Sequence, residues 1–153
     1  MAPILTVVLL ASTGIFAGGL VMVAAAIVPT FRELPPRAYV QLHQTLSHYV
    51  DRFMPATVLL SIVVGLALTW LQTGAVRALL LVGVFLAIAV AVISQFGNVP
   101  LNRKVRSWNP EAPPPETRDL VERWRRLHLL RTCAGVLAMG FFVVAAVLRN
   151  AGQ

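Results

Sequence analysis

The sequence predicts an all-α fold: an integral membrane four-helix bundle with an amphipathic helical segment between its first two spans. Three observations predict it. The chain is 58% hydrophobic and only 12% charged, about half the charged share of an ordinary soluble domain. Four uncharged runs, 1–31, 53–76, 78–102 and 132–148, approach or exceed the ~20 apolar residues that a helix needs to cross a bilayer. The charges gather between the runs, and the stretch 98–131 alone holds 8 of the 13 Lys and Arg. At 153 residues one four-span domain over 1–153 is expected, with spans near 3–29, 54–73, 77–98 and 127–148.

The first run has an Ala24-Ala25-Ala26 stretch resembling a signal cleavage site. No Lys or Arg precedes it and its apolar part is too long, so a retained helix is favoured. Gly14 and Gly18 form a GxxxG, read as packing inside the bundle in preference to a dimer seam. Pro29 is expected to end this helix. Glu33-Leu34-Pro35-Pro36 reads as a turn, with Pro36 opening the next helix.

Residues 37–53 then form an amphipathic stretch. Tyr39, Val40, His43, Leu46, Ser47 and Val50 make one stripe, while Arg37, Gln41, Gln44, His48, Asp51 and Arg52 fall mainly elsewhere. It is either an interfacial helix or a polar extension of the second span, and Pro55 permits a kink at the junction. Gln72-Thr73-Gly74-Ala75 is a tight turn, which makes the second and third spans an antiparallel hairpin.

After the third span, Asn98 and Asn102 flank Val99-Pro100-Leu101. Pro100 removes the bond to residue 96, and Asn side chains suit the capping of such an end as well as they suit ligand binding. Asn109-Pro110 and Pro113-Pro114-Pro115 exclude helix. From Thr117 a helix restarts, with Asp119 near its positive end, and runs through Trp124, His128 and Arg131 into the fourth span.

Four spans put the two polar connections at one end. They carry Arg32, Arg37 and Arg52, then Arg103, Lys104, Arg106, Arg118, Arg123, Arg125, Arg126 and Arg131, against Arg77 and Arg149 at the other end. The positive-inside rule therefore predicts both termini outside and the basic connections in the cytoplasm. With basic residues beside apolar runs, the net charge of +7 points to membrane lipid headgroups and not to nucleic acid. The lone Cys133 excludes an internal disulfide, a CxxC pair and a cysteine zinc site, and behaves as a small hydrophobe.

The polar residues with chemical potential converge on that basic end. Trp124, His128 and Arg131 share one helix face at i, i+4, i+7. Trp124 and the arginines at 123–126 also suit an interfacial belt facing headgroups. Arg131, preceded by Leu129 and Leu130, is an intramembrane charge and so a functional candidate. His43 and His48 are five apart, off a common face, and no HExxH or Glu-x-x-His occurs. A three-His metal site from His43, His48 and His128 stays open as a minor reading. No acidic residue sits at a span centre, which disfavours a di-iron bundle and a proton-coupled transporter. An exporter is disfavoured too, since the outer halves of the spans offer almost no polar path.

The first-span glycines, the His-bearing helix ahead of Pro55, Asn98-x-Pro100-x-Asn102, Trp108, and Arg123-Trp124-x-x-x-His128-x-x-Arg131 together resemble the anthrone oxygenase-like membrane protein family, over nearly the whole chain. The resemblance implies a four-span protein that oxidises a lipophilic anthrone- or hydroquinone-like aromatic with dioxygen as co-substrate and no conventional organic cofactor. It implies His43 as general base, with Arg131, Asn98 and Asn102 stabilising the oxyanion. Trp108 and Trp124 would wall the pocket, and His128 and Gln95 would complete it. The competing reading is a non-enzymatic scaffold or lipid-binding bundle, possible as a homo-oligomer. A scaffold has no use for His43, Asn98 and Asn102 converging.

Overall fold

The computed structural model describes residues 2–151, and each apolar run becomes one long helix. Helix α1 runs over Ala2–Met22, widens through one π turn at Val23–Ile27 and continues over Val28–Glu33. Helix α2 is Pro36–Trp70. Helix α3 is Gly74–Ile93, a second π turn Ser94–Asn98, and Val99–Arg106. Helix α4 is Thr117–Ala151. All four are long and apolar enough to cross a membrane. The 35 residues of α2 span about 52 Å at the α-helical rise, well beyond the ~30 Å hydrocarbon layer. The helices therefore project from the membrane, and they do so as extensions of the spans.

Proline explains the π turns. Pro29 and Pro100 were expected to end their helices; each instead sits just after a π turn in a helix that continues. A proline ring collides with the carbonyl four residues before it and offers no N–H. Widening the preceding turn makes room: Val28 N–H reaches Val23 O and Val99 N–H reaches Ser94 O, five residues back. Neither Asn98 nor Asn102 caps a helix end. Pro55 sits inside α2, which is helical on both sides of it, so residues 37–53 are the polar extension of the second span.

Helix α1 packs on α2 and α4, and α3 packs on the same two. The result is a square with α1 diagonal to α3. Residues Leu71, Gln72 and Thr73 close the α2–α3 hairpin, and Gly74 takes φ +57°, a left-handed conformation that any side chain would resist.

Where the hairpin turn lies, the core is dry and tight. Leu9, Val64, Leu68, Leu80, Val84 and Phe142 pack there. Phe142 is seated on glycine: a Cβ on Gly83 would lie 2.4 Å from the ring, and one on Gly65 would lie 2.7 Å from Val84. The expected GxxxG does little by comparison. A Cβ at Gly14 would make one ordinary contact with Met139, and a Cβ at Gly18 would meet open space. Helix packing in lipid rests on such close approach, and here it is closest at Gly83 and Gly65, with Gly19, Gly97 and Gly135 also tightly faced by Met54, Leu127 and Leu20. A Ser12–Ser61 hydrogen bond of 2.7 Å joins α1 to α2.

The opposite, basic end is tied by ion pairs across elements: Arg32–Glu122, Arg37–Glu111 and Lys104–Glu116, at 2.9, 2.7 and 3.3 Å. Glu116 lies in the connection before α4. Its own backbone N–H and the Lys104 ammonium hold its carboxyl below the ordinary range.

Candidate active site

The basic half of the bundle contains a cavity of about 390 Å³, within the usual size of a small-molecule site. All four helices line it, mostly with apolar side chains: Leu20, Val23 and Ile27 from α1, Met54 and Val58 from α2, Val90 from α3. The two π turns flank it, since Val23, Ile27, Ser94 and Gln95 are wall residues. π turns are rare and frequently mark functional sites. Some wall residues also face outward, among them Leu59 at 62% and Met22 at 54% exposure, so the cavity opens sideways at the level of the apolar spans.

His43 lies in the wall at 2% exposure, on the stripe of α2 that also carries Ser47 and Val58. Its ring stacks on Phe31 at 5.1 Å and meets Tyr39 and Trp124 edge-on. Its Nε2 lies 3.1 Å from Asn102 Oδ1. Trp124 Nε1–H, which can only donate, gives a 2.9 Å hydrogen bond to the same oxygen. That atom is therefore the amide oxygen, and the imidazole must present Nε2–H to it. In the neutral ring the lone pair is then on Nδ1, which is buried and has no partner among the described residues. Asn102 Nδ2 in turn donates to both carboxylate oxygens of Asp51, at 3.1 and 3.3 Å. Arg106 holds Asp51 from the other side at 3.1 Å.

His128 is committed differently. Its Nε2–H donates to the Leu20 carbonyl at 3.0 Å. Its Nδ1 accepts from Arg131 Nε–H and Nη2–H at 3.1 and 2.9 Å. Arg131 Nη1–H reaches Ser94 Oγ at 3.2 Å. Arginine has five N–H groups, so the guanidinium keeps two for a ligand while being fixed by three. Trp124 stacks flat on His128, with ring centroids 5.0 Å apart.

His43, Asn102, Trp124, His128, Arg131 and Gln95 are thus brought to one cavity, Gln95 at its exposed rim. Two expected members are not there. Asn98 is fully buried behind the wall, its Nδ2 donating to the Trp124 carbonyl at 3.2 Å. Trp108 is half-buried at the end of α3, beneath Lys104 at 5.9 Å, outside the cavity. The Asn102 amide directs an N–H at the Asp51 carboxylate, which leaves at most one of its two N–H donors for an oxyanion. The three-His set is not assembled either: both nitrogens of His128 are occupied and His48 is exposed. No group of three His, Cys, Asp or Glu is clustered for a metal among the described residues.

Two site residues escaped the sequence reading. Asp51 falls outside the apolar stripe of residues 37–53, yet it stands eight residues after His43, about two turns along the helix. Ser94 is an ordinary small polar residue near a span end and carries no distinguishing signal. Gln44, also read as solvated, caps the end of α3 by donating to the Val105 and Trp108 carbonyls, both at 3.0 Å.

Residues 43–141 match the family model described as Anthrone oxygenase. No curated protein and no solved structure matches the chain.

Proposed function

The chain belongs to the anthrone oxygenase family, and on that premise we propose that it oxidises a lipophilic aromatic, anthrone- or hydroquinone-like, with dioxygen. The observation that carries this reading is the Nδ1 of buried His43, without a partner among the described residues, in the wall of an apolar cavity that Arg131 also lines. With an anthrone-like carbon acid as substrate, the base takes the acidic C–H proton. The resulting aryl oxyanion accepts the remaining Arg131 N–H donors, in a site where apolar walls strengthen such contacts. The electron-rich carbanion form reduces dioxygen and combines with it to give a hydroperoxide anion, which the protonated base neutralises. Loss of the second C–H proton with cleavage of the O–O bond leaves a ketone and releases water. Overall, a CH2 group and O2 become C=O and H2O.

Phe31 stacks on the imidazole and also lines the cavity. A flat substrate ring that displaces Phe31 gains both a stacking surface and access to Nδ1. The sideways mouth at Leu59 and Met22 suits delivery from the bilayer, and the positive-inside rule puts this half of the protein toward the cytoplasm.

The scaffold reading loses support, because His43 and Asn102 face one another inside the bundle instead of facing lipid or water. The test is oxygen uptake by the full chain in lipid nanodiscs with anthrone. Formation of anthraquinone, with one O2 consumed per product, is the expected result. Uptake no faster than in protein-free nanodiscs, with hydroquinones equally inert, would count against the reading.

A further inference from the structure

Asn102 is the one side chain that touches His43, Trp124 and Asp51 together. An amide can present either its oxygen or its NH2 to a neighbour, and the choice dictates where the neighbouring imidazole carries its proton. With Oδ1 toward His43, the ring keeps its proton on Nε2 and its lone pair on Nδ1. With the amide reversed, Nδ2–H would face Nε2, the ring proton would move to Nδ1, and the base would be lost from that atom.

We propose that Asp51, Asn102 and Trp124 form a tautomer lock on His43, with Asp51 a positioning residue that acts through the Asn102 amide. The inference rests on the reading of His43 as the base. Two contacts oppose reversal together, and the loss of either loosens the amide. A turned amide would set Nδ2–H against the Trp124 indole N–H, which can only donate. It would also set Oδ1 against the Asp51 carboxylate, which can only accept. The 3.1 Å Arg106–Asp51 pair keeps that carboxylate in place, and both oxygens, at 3.1 and 3.3 Å, lie within reach of Nδ2. His128 needs no such lock. Arg131 on one side and the Leu20 carbonyl on the other already fix its tautomer.

The lock is tested on the full chain in nanodiscs, with 15N-labelled histidine and long-range proton–nitrogen NMR. The His43 signals are those lost in His43→Gln. Wild type is expected to show His43 protonated on Nε2 alone. Asp51→Ala removes the acceptor and should populate the Nδ1–H form, lowering kcat for anthrone at least about tenfold with little change in KM. Asp51→Asn keeps an acceptor oxygen for Nδ2–H, and should restore the Nε2–H form and most of kcat. Trp124→Phe keeps the ring and removes the N–H. It reads the lock from the other side and substitutes for Asp51→Ala should that variant not fold. Pure Nε2–H with unaltered kcat in both Asp51→Ala and Trp124→Phe would overturn the proposal. A tautomer change in those variants, with a wild type inert toward anthrone, would leave the lock standing and remove the oxygenase reading.

Discussion

In the half of the bundle that closes on the Leu71–Thr73 turn, helices meet through glycine: Gly83 and Gly65 let Phe142 and Val84 come to contact distances that a single Cβ would forbid. In the half that closes on the basic connections, α1 and α3 each widen into a π turn. There the space between helices holds a 390 Å³ cavity walled in part by His43, Asn102 and Arg131. The same four helices build both halves. The difference teaches that the tightest glycine-seated packing and the polar-lined cavity are separated along the bundle axis. Lipid is as apolar as a leucine side chain, so association must come from packing in both halves. The basic half has a buried cluster of its own, including Phe31, Tyr39, Val40, Val105 and Val121, and adds buried hydrogen bonds around the cavity. Substitutions in each half should therefore be read by different measurements.

The largest effect belongs to the cavity half. His43→Gln keeps a donor for Asn102 Oδ1 but has no basic nitrogen. A positioned general base contributes about 10²–10⁴ in rate, so kcat/KM for anthrone should fall by that order. The variant should stay monodisperse in detergent, with a helical circular dichroism spectrum like that of wild type. Full retention of activity would end the assignment of His43 as base.

Next comes the dry half, where the pattern should invert. Phe142→Ala removes a fully buried ring seated on Gly83 and is expected to cost about 3–5 kcal/mol. It should be read as a lowered midpoint in an unfolding titration, while turnover per folded molecule stays near that of wild type. An activity loss matching His43→Gln in protein that remains folded would dissolve the division between the halves. Gly83→Ala probes the same contact from the opposite side, since its new Cβ meets the ring at 2.4 Å. Overpacking of this kind costs about 1–3 kcal/mol. The double variant Gly83→Ala with Phe142→Leu should recover part of that loss, because the methyl then occupies the volume that the ring gave up. Strict additivity would mean that the glycine's role is not to seat Phe142.

The sequence carried the dry half's architecture and only part of the cavity's. Four uncharged runs and a Gln72-Thr73-Gly74-Ala75 turn make the spans and the hairpin legible, because hydrophobic length is read directly from composition. Helix ends were misread where Pro29 and Pro100 stand, since the usual rule lets proline stop a helix, and a π turn that absorbs the ring leaves no sequence mark of its own. The i, i+4, i+7 set of Trp124, His128 and Arg131 was legible and does line the cavity. Asp51 was not, although it stands about two turns after His43. Amphipathic reading assigns a carboxylate to water unless a partner is known, and its partner Asn102 lies 51 residues away in the chain. Trp108 erred the other way. The family resemblance placed it in the pocket wall, but α3 ends two residues earlier at Arg106, and Trp108 packs against the buried cluster that includes Tyr39 and Val105 instead.

The smallest effect should come from the exposed ties at the basic end, and it sharpens the comparison by having a pH signature that the apolar contact of Phe142 with Gly83 does not share. Glu116 pairs with Lys104 at 3.3 Å, and its carboxyl is held below the ordinary range by its own backbone N–H first and the Lys104 ammonium second. A carboxyl depressed in the folded state stabilises that state above its unfolded pKa, and the contribution fades as pH falls through the folded value. Exposed pairs are weak and screened by salt, so Glu116→Gln should shift the unfolding midpoint barely beyond measurement error at neutral pH and low salt. Whatever gap exists should close on acidification below the ordinary carboxylate range, and should shrink as salt is added. Gly83→Ala, whose cost is steric contact between uncharged groups, should keep its gap from wild type across both series. A Glu116→Gln gap that persisted in acid and in high salt would mean that this side chain contributes through packing, and the contrast between a charged end and a dry end would have to be redrawn.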